Sequence, residues 1–239
     1  MRLDKALASS GYGTRSEVKN LIAKNLVTVN GVIAKDPGLH VTGKDTITVK
    51  GQPTDIKEHI YLMFDKPDEV VTAMEDKRLT CVGEFIPQNL KGRKISPVGR
   101  LDYHTTGLLI LTNDGELSHR LTSPIYGISK EYLVTYHGPA LTQKQVTEAQ
   151  EGITLTDMDT PVKLKSAKLK ILDGNKAILT LTEGKTHEVR RIFAKWERPV
   201  KALRRISVGP LKLDTENPGA LTELTGTQIN SLKEITKLL

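Results

Sequence analysis

Four large apolar residues in a row, Leu108-Leu109-Ile110-Leu111, stand between Gly107 and the turn signal Asn113-Asp114-Gly115. A short unbroken apolar run bounded by such breakers predicts a strand buried on both faces. Gly99-Arg100-Leu101-Asp102 lies just ahead of it. A guanidinium and a carboxylate thus sit at the mouth of a buried strand, where a rigid scaffold holds reactive groups still. Taken alone, Arg-Leu-Asp reads as a loop aspartate paired with a neighbouring arginine for stability.

The chain has 239 residues, enough for one large domain or for a sizeable domain plus a small one. No apolar stretch approaches the roughly 18 residues that a membrane span needs. Met1-Arg2-Leu3-Asp4-Lys5 has no apolar run behind its basic start, so a secretory signal is not expected. Cys81 is the single cysteine, which excludes an internal disulfide, and no Cys/His cluster has zinc spacing. Cys81 reads as a small buried hydrophobe. These features predict a soluble, cytoplasmic protein. The formal charge of +7 favours a polyanion as partner. Residues 1–57 hold nine Lys/Arg against five Asp/Glu, and residues 59–239 hold 26 against 22. The first segment is the more basic for its length and is the better electrostatic anchor.

Local signals divide the chain. Leu3, Ala6 and Leu7 have helical spacing, and Gly11-Tyr12-Gly13 ends that helix. Thr14-Arg15-Ser16-Glu17 is a capping box ahead of a second helix with the stripe Val18, Leu21, Ile22. Val27 to Ile33 reads as two short strands around Asn30-Gly31, and Thr46 to Val49 as another strand. Arg2 with Lys5, and Arg15 with Lys19, each share one helix face, which serves equally as a solvated face or an RNA contact. Residues 51–58 lack periodicity and read as a linker. From residue 59 the pattern mixes strands (Tyr61–Phe64, Glu131–Tyr136, Lys163–Leu172, Ala177–Leu181) with helices expected over Gly115–Leu121, Thr142–Glu151, His187–Trp196 and Gln228–Leu238. Val189, Ile192, Phe193 and Trp196 form one core-facing stripe. Strands and helices without a regular βαβ repeat predict an α+β class for residues 59–239.

The stretch from Gly99 to Gly115 resembles the active-site motif of pseudouridine synthases, which isomerise uridine within folded RNA. Phe64-Asp65-Lys66-Pro67, Lys130-Glu131-Tyr132-Leu133-Val134, Glu183 to Arg191 and Leu203 to Gly209 match further words of that family, in order. Residues 1–50 resemble the small RNA-binding domain shared with ribosomal protein S4, through Arg2-Leu3-Asp4-Lys5 and Val27-Thr28-Val29-Asn30-Gly31. The resemblance implies an S4-like domain (1–50), a linker (51–58) and a catalytic domain (59–239) built on a mixed, largely antiparallel sheet with flanking helices.

It also implies roles. Asp102 matches the catalytic aspartate, acting as nucleophile at the sugar or as base at the ribose 2′ position. Arg190 matches the cation that keeps this carboxylate ionised, with Arg191 as the weaker substitute. Tyr132 matches the tyrosine that packs on the target base, and Arg100 an arginine beside the flipped nucleotide. Arg2, Lys5, Arg15 and Lys19 are the expected RNA-phosphate contacts. The structural alternatives are a buried ion pair for Asp102 and Arg190, cross-strand packing for Tyr132 and a surface arginine for Arg100. Lys66 and His187 read as structural. The isomerisation involves no redox change and no net hydrolysis, so no metal or other cofactor is expected. The chain lacks a phosphate loop and a dinucleotide fingerprint.

Two departures stand out. Lys66-Pro67-Asp68-Glu69 replaces the usual Lys-Pro-x-Gly, which predicts a turn needing no positive φ. Glu188 replaces the usual glutamine, and is expected to compete with Asp102 for the arginine or to face solvent. Ser118 to Pro124 and Lys130 to Thr135 look most like the small-subunit branch, which acts on 16S rRNA. The same chemistry on 23S rRNA and a non-catalytic RNA-binding assembly factor are the alternatives. Nothing suggests a coiled coil, so a monomer is the default.

Overall fold

The computed structural model describes residues 1–54, 56, 59–157, 160–213 and 216–239, which fall into two compact units. The first unit comprises Met1–Ile60 together with Ile86–Ile95. Its helices are α1 (Leu3–Ser9) and α2 (Arg15–Ala23), and the capping box at Thr14 and Glu17 is present. Leu3, Ala6, Leu7, Val18 and Ile22 bury their stripes against Val27, Ile47 and Val49. Those last residues belong to an antiparallel sheet of β1 (Val27–Val29), β2 (Val32–Ile33), β3 (Ile47–Val49) and β4 (Gln52–Thr54), in the order β2-β1-β3-β4. Asn30 and Gly31 both take positive φ, as a two-residue hairpin turn requires.

Strand β4 corrects the expectation of an unstructured linker at Gln52–Thr54. Lys50 and Gly51 make a second positive-φ turn, which folds these residues back against β3 with Pro53 opposite Thr48. Proline is tolerated there because an edge strand leaves one row of N–H groups unused. Asp55, Lys57 and Glu58 of the expected linker lie outside the described residues.

The second unit comprises Tyr61–Phe85 and Ser96–Leu239. Its strands run β5 (Tyr61–Lys66), β6 (Ser96–Pro97), β7 (Thr105–Thr112), β8 (Lys130–Tyr136), β9 (Thr154–Leu155), β10 (Val162–Lys163), β11 (Lys168–Leu172), β12 (Lys176–Leu181), β13 (Val200–Val208), β14 (Leu211–Lys212) and β15 (Leu221–Glu223). Helices α3 (Gly115–Thr122), α4 (Gln143–Glu151), α5 (Glu188–Lys195) and α6 (Gly226–Ile235) intervene. Among the described residues a nine-stranded sheet follows the order β11-β12-β8-β13-β7-β5-β15, with β14 on β13 and β6 on β7. Only the β7–β13 pair is parallel among its ladders, so the sheet is mixed and largely antiparallel.

Two apolar cores flank it. Ile192, Phe193 and Trp196 of the α5 segment pack on Val134, Leu179 and Leu203, whereas Leu117, Leu121 and Leu232 from α3 and α6 pack on Leu108 and Ile110. Leu108, Leu109 and Leu111 are 0% exposed, as a strand covered on both faces requires. Cys81 is buried and free. Among the described residues no helix is long and apolar enough to cross a membrane.

Candidate active site

The loop that enters β7 carries Asp102 between two fastened neighbours. Thr72 Oγ1 donates to the Leu101 carbonyl at 2.6 Å and accepts the Leu101 N–H at 3.1 Å. On the other side, the Lys66 ammonium donates to the carbonyls of Tyr103 (3.2 Å), Pro67 (2.9 Å) and Val70 (2.7 Å). Lys66 is 0% exposed, and burial pushes its pKa down to about 8 against the pull of Asp68 and Asp102. The Thr105 N–H closes the turn on the Asp102 carbonyl at 3.0 Å. The carboxylate is thereby presented from a loop whose backbone is held at both ends. In the sequence Lys66 reads as structural and Thr72 carries no signal, since its partner is a main-chain group remote in sequence.

Arg190 completes this clamp, which differs from the expected ion pair. Its Nη2 donates to the His104 carbonyl at 2.7 Å, and no ion pair joins it to Asp102 among the described residues. The group beside the carboxylate is His187, whose Nδ1 stands 3.2 Å from Asp102 Oδ2. The backbone causes the exchange: His187 caps α5 in the left-handed conformation (φ 51°, ψ 28°) and lines the pocket, while Arg190 starts a turn later. Arg191 is no substitute, because its guanidinium is bidentate to Asp157 at 2.7 and 2.6 Å.

Asp102, His187, Tyr132 and Arg100 line one pocket of about 470 Å3, with Leu181, Val189 and Leu203 as apolar wall. Tyr132 lies on β8 between Leu179 and Arg205 and packs against the α5-side core. Arg100 is exposed at the rim. Among the described residues, no group of three or more His, Cys, Asp or Glu side chains is placed to hold a metal ion. Of the expected site residues of the second unit, the pocket gathers Asp102, Tyr132 and Arg100, and leaves Arg190 out of its lining.

The expected RNA contacts of the first unit are surface cations. Arg2 forks onto the buried Asp4 at 3.1 and 3.0 Å, and this bond holds the Asp4 carboxyl below its ordinary value, with Arg15 adding to the effect. Lys5, Arg15 and Lys19 are exposed.

The pattern of the RNA pseudouridylate synthase family matches residues 60–195, and that of the S4 domain matches residues 1–47. The chain belongs to the RNA pseudouridylate synthase family. Ribosomal small subunit pseudouridine synthase A of Pasteurella multocida (strain Pm70) is 39% identical over 215 residues, which are 90% of this chain and 91% of that protein. Ribosomal large subunit pseudouridine synthase B of Bacillus subtilis (strain 168) is 36% identical over 243 residues, spanning 98% of this chain and 96% of its own. A solved pseudouridylate synthase superposes with a TM-score of 0.67 at 35% identity, over 97% of this chain and 99% of that one. The protein is an enzyme that makes pseudouridine in RNA.

Both departures from the family pattern behave differently from expectation. Glu69 adopts φ 57°, so the turn keeps its left-handed residue without a glycine. The Lys66 ammonium imposes this shape by gathering the Pro67 and Val70 carbonyls on either side. Glu188 neither faces solvent nor meets Arg190. It is 4% exposed, its Oε2 accepts the Lys185 N–H at 2.7 Å, and its Oε1 is buried with no partner among the described residues. Burial pushes this carboxyl up against the Lys185 bond, and Glu183 pushes it further. Its work is to close the turn that sets His187 against Asp102.

Proposed function

We propose that this synthase isomerises one uridine of 16S rRNA, with Asp102 as catalytic residue, Tyr132 against the target base and Arg100 beside the flipped nucleotide. The observation that carries the reading is the convergence of these three residues with His187 on one pocket, around a carboxylate whose loop is fastened on both sides. The reaction breaks the N1–C1′ bond, turns the uracil and joins C5 to C1′, while C5 loses a proton and N1 gains one. An ionised Asp102 serves either as nucleophile at C1′ or as base at the ribose 2′ position. His187, when protonated, supplies the nearest cation for that charge. Arg190 acts as a positioning residue through the His104 carbonyl.

In this reading residues 1–50 anchor rRNA through Arg2, Lys5, Arg15 and Lys19, residues 59–239 perform the chemistry, and a cytoplasmic monomer works without a cofactor. The small-subunit target is favoured by the 39% identity to the Pasteurella enzyme. The 36% identity to the large-subunit enzyme favours a second reading, the same chemistry on 23S rRNA.

Mapping pseudouridine by carbodiimide modification and primer extension, on rRNA from cells with and without the gene, tests the assignment. Loss of one stop in 16S rRNA is the expected result; loss in 23S rRNA instead selects the second reading. Purified Asp102→Asn should yield no pseudouridine on the same RNA while binding it within about two-fold of wild type. An active Asp102→Asn enzyme would overturn the catalytic assignment.

A further inference from the structure

Behind Tyr132 the catalytic pocket adjoins a smaller cavity of about 160 Å3, with Gly99, Arg100, Tyr132 and Gly184 lining both. Lys130 at the start of β8 and Arg205 on the neighbouring β13 stand in its wall. Arg205 is 3% exposed and commits its Nε to the Leu108 carbonyl at 2.7 Å. Lys130 donates to the Ile128 carbonyl at 3.2 Å. Neither forms an ion pair with a carboxylate among the described residues. Burial, and then the charge of Arg205, push the Lys130 pKa down, while the opposing pull comes from Glu188. Two cations standing in one cavity wall, neither in an ion pair with a carboxylate among the described residues, mark a place for an anion. The cations of this wall offer donors and no acceptor, whereas the edge of a nucleobase needs both. A phosphodiester, an acceptor with a full negative charge, fits that chemistry.

We propose that Lys130 and Arg205 form a phosphate subsite, which holds a backbone phosphate of the substrate strand next to the uridine seated in the Asp102 pocket. The inference rests on the proposed placement of that uridine. A nucleotide entering between Arg100 and Tyr132 brings its own flanking phosphates to the rim that the two cavities share. The subsite then supplies strand register beside the base, separately from the surface cations of the first unit.

The test pairs protein and RNA changes in the full chain. RNA affinity is measured in the Asp102→Asn background, so that turnover does not intervene, for Lys130 and for Lys130→Gln. The RNA is an rRNA fragment bearing the mapped uridine, with a neutral methylphosphonate replacing the phosphate on its 5′ or 3′ side. The expected result is a roughly 10-fold loss from one methylphosphonate with Lys130, and no further loss from it with Lys130→Gln. Lys130→Arg, which keeps the charge, should restore the loss on neutralising the phosphate. On unmodified RNA, Lys130→Gln should flatten the plot of log affinity against log salt by about 0.7 to 0.9, the weight of one phosphate contact. Additive effects at both flanking positions with an unchanged slope would overturn the subsite. A wild-type chain that binds rRNA but makes no pseudouridine would instead overturn the proposed function, and the salt slope would still report on the subsite. Matching thermal unfolding of the variants shows that the fold has survived.

Discussion

Asp102, Tyr132 and Arg100 could be named from their words in the sequence because each occupies a fixed place in a short motif. What each touches could not. The side chain beside Asp102 is His187 rather than Arg190, because one residue in the left-handed conformation turns the imidazole to the pocket. Glu69 likewise takes positive φ without glycine because the buried Lys66 ammonium gathers the carbonyls around it. Such a geometry costs an L-residue on the order of 1 kcal/mol, a cost that no local pattern announces. Glu188 offers the clearest test at this scale. Burial raises its carboxyl above the ordinary 4.5, so its contribution to stability is intact below that value and is lost as pH rises through the raised one. At neutral pH the charged form is a burden, and its Oε1 has no partner among the described residues to offset it. Glu188→Gln keeps an oxygen for the Lys185 N–H and removes the charge. It should stabilise the protein by about 1 kcal/mol at pH 7, seen as a rise of roughly 2–4 °C in Tm. Unfolding scans at pH 7 and pH 5 should show the advantage shrinking at the lower pH. An advantage that grew on acidification would contradict the buried-charge account.

Elements with a period or a turn signal were legible, including the short strands β1 and β2 around Asn30-Gly31, where isolated two-residue strands were not. Helices α3 and α5 lie within a residue of their expected bounds, since their apolar stripes show a helical period and Asp114 caps α3. Strands β6, β9, β10 and β14 have two residues each, too few for any period to show, and they exist because a neighbour offers a ladder. The parallel β7–β13 pair, which joins the two flanking cores, was equally invisible, because sequence carries strand character but not strand partners. Gly107 is where this pairing presses hardest. It takes φ 99°, and a Cβ there would stand 2.2 Å from the Arg205 carbonyl oxygen, a main-chain atom that cannot step aside. Gly107→Ala should therefore prise β7 from β13 and cost about 3 kcal/mol. The same shift would disturb the loop holding Asp102, three residues upstream of the strand, and Arg205 in the cavity wall. Urea unfolding should show the loss as a lower midpoint, with activity falling at temperatures where the variant is still folded. A midpoint equal to wild type would mean that the two strands are not held as close as this geometry requires.

At the scale of the whole chain, charge rather than shape argues for the division of work between the two units. The +7 excess was legible from composition, as was the higher basic density of the first segment. The extent of that unit was not: it recruits Ile86–Ile95 from far along the sequence and takes β4 from the expected linker. Deleting residues 1–50 would therefore leave Ile86–Ile95 without the rest of its unit, and would confuse lost anchoring with lost folding. Charge reversal on the surface separates the two. Arg15 and Lys19 are exposed on α2, whose core contacts run through Val18 and Ile22, so Arg15→Glu with Lys19→Glu leaves the packing untouched. If these cations meet RNA phosphates, the double variant loses two contacts and gains two repulsions. Its affinity for rRNA should fall at least 10-fold at 100 mM salt, and log affinity should depend on log salt less steeply by about 1.5. High salt should then narrow the gap between variant and wild type, because screening removes the attraction and the repulsion alike. Affinity that fell equally at every salt concentration would point to a damaged fold, and unchanged affinity would leave RNA capture to the catalytic unit alone.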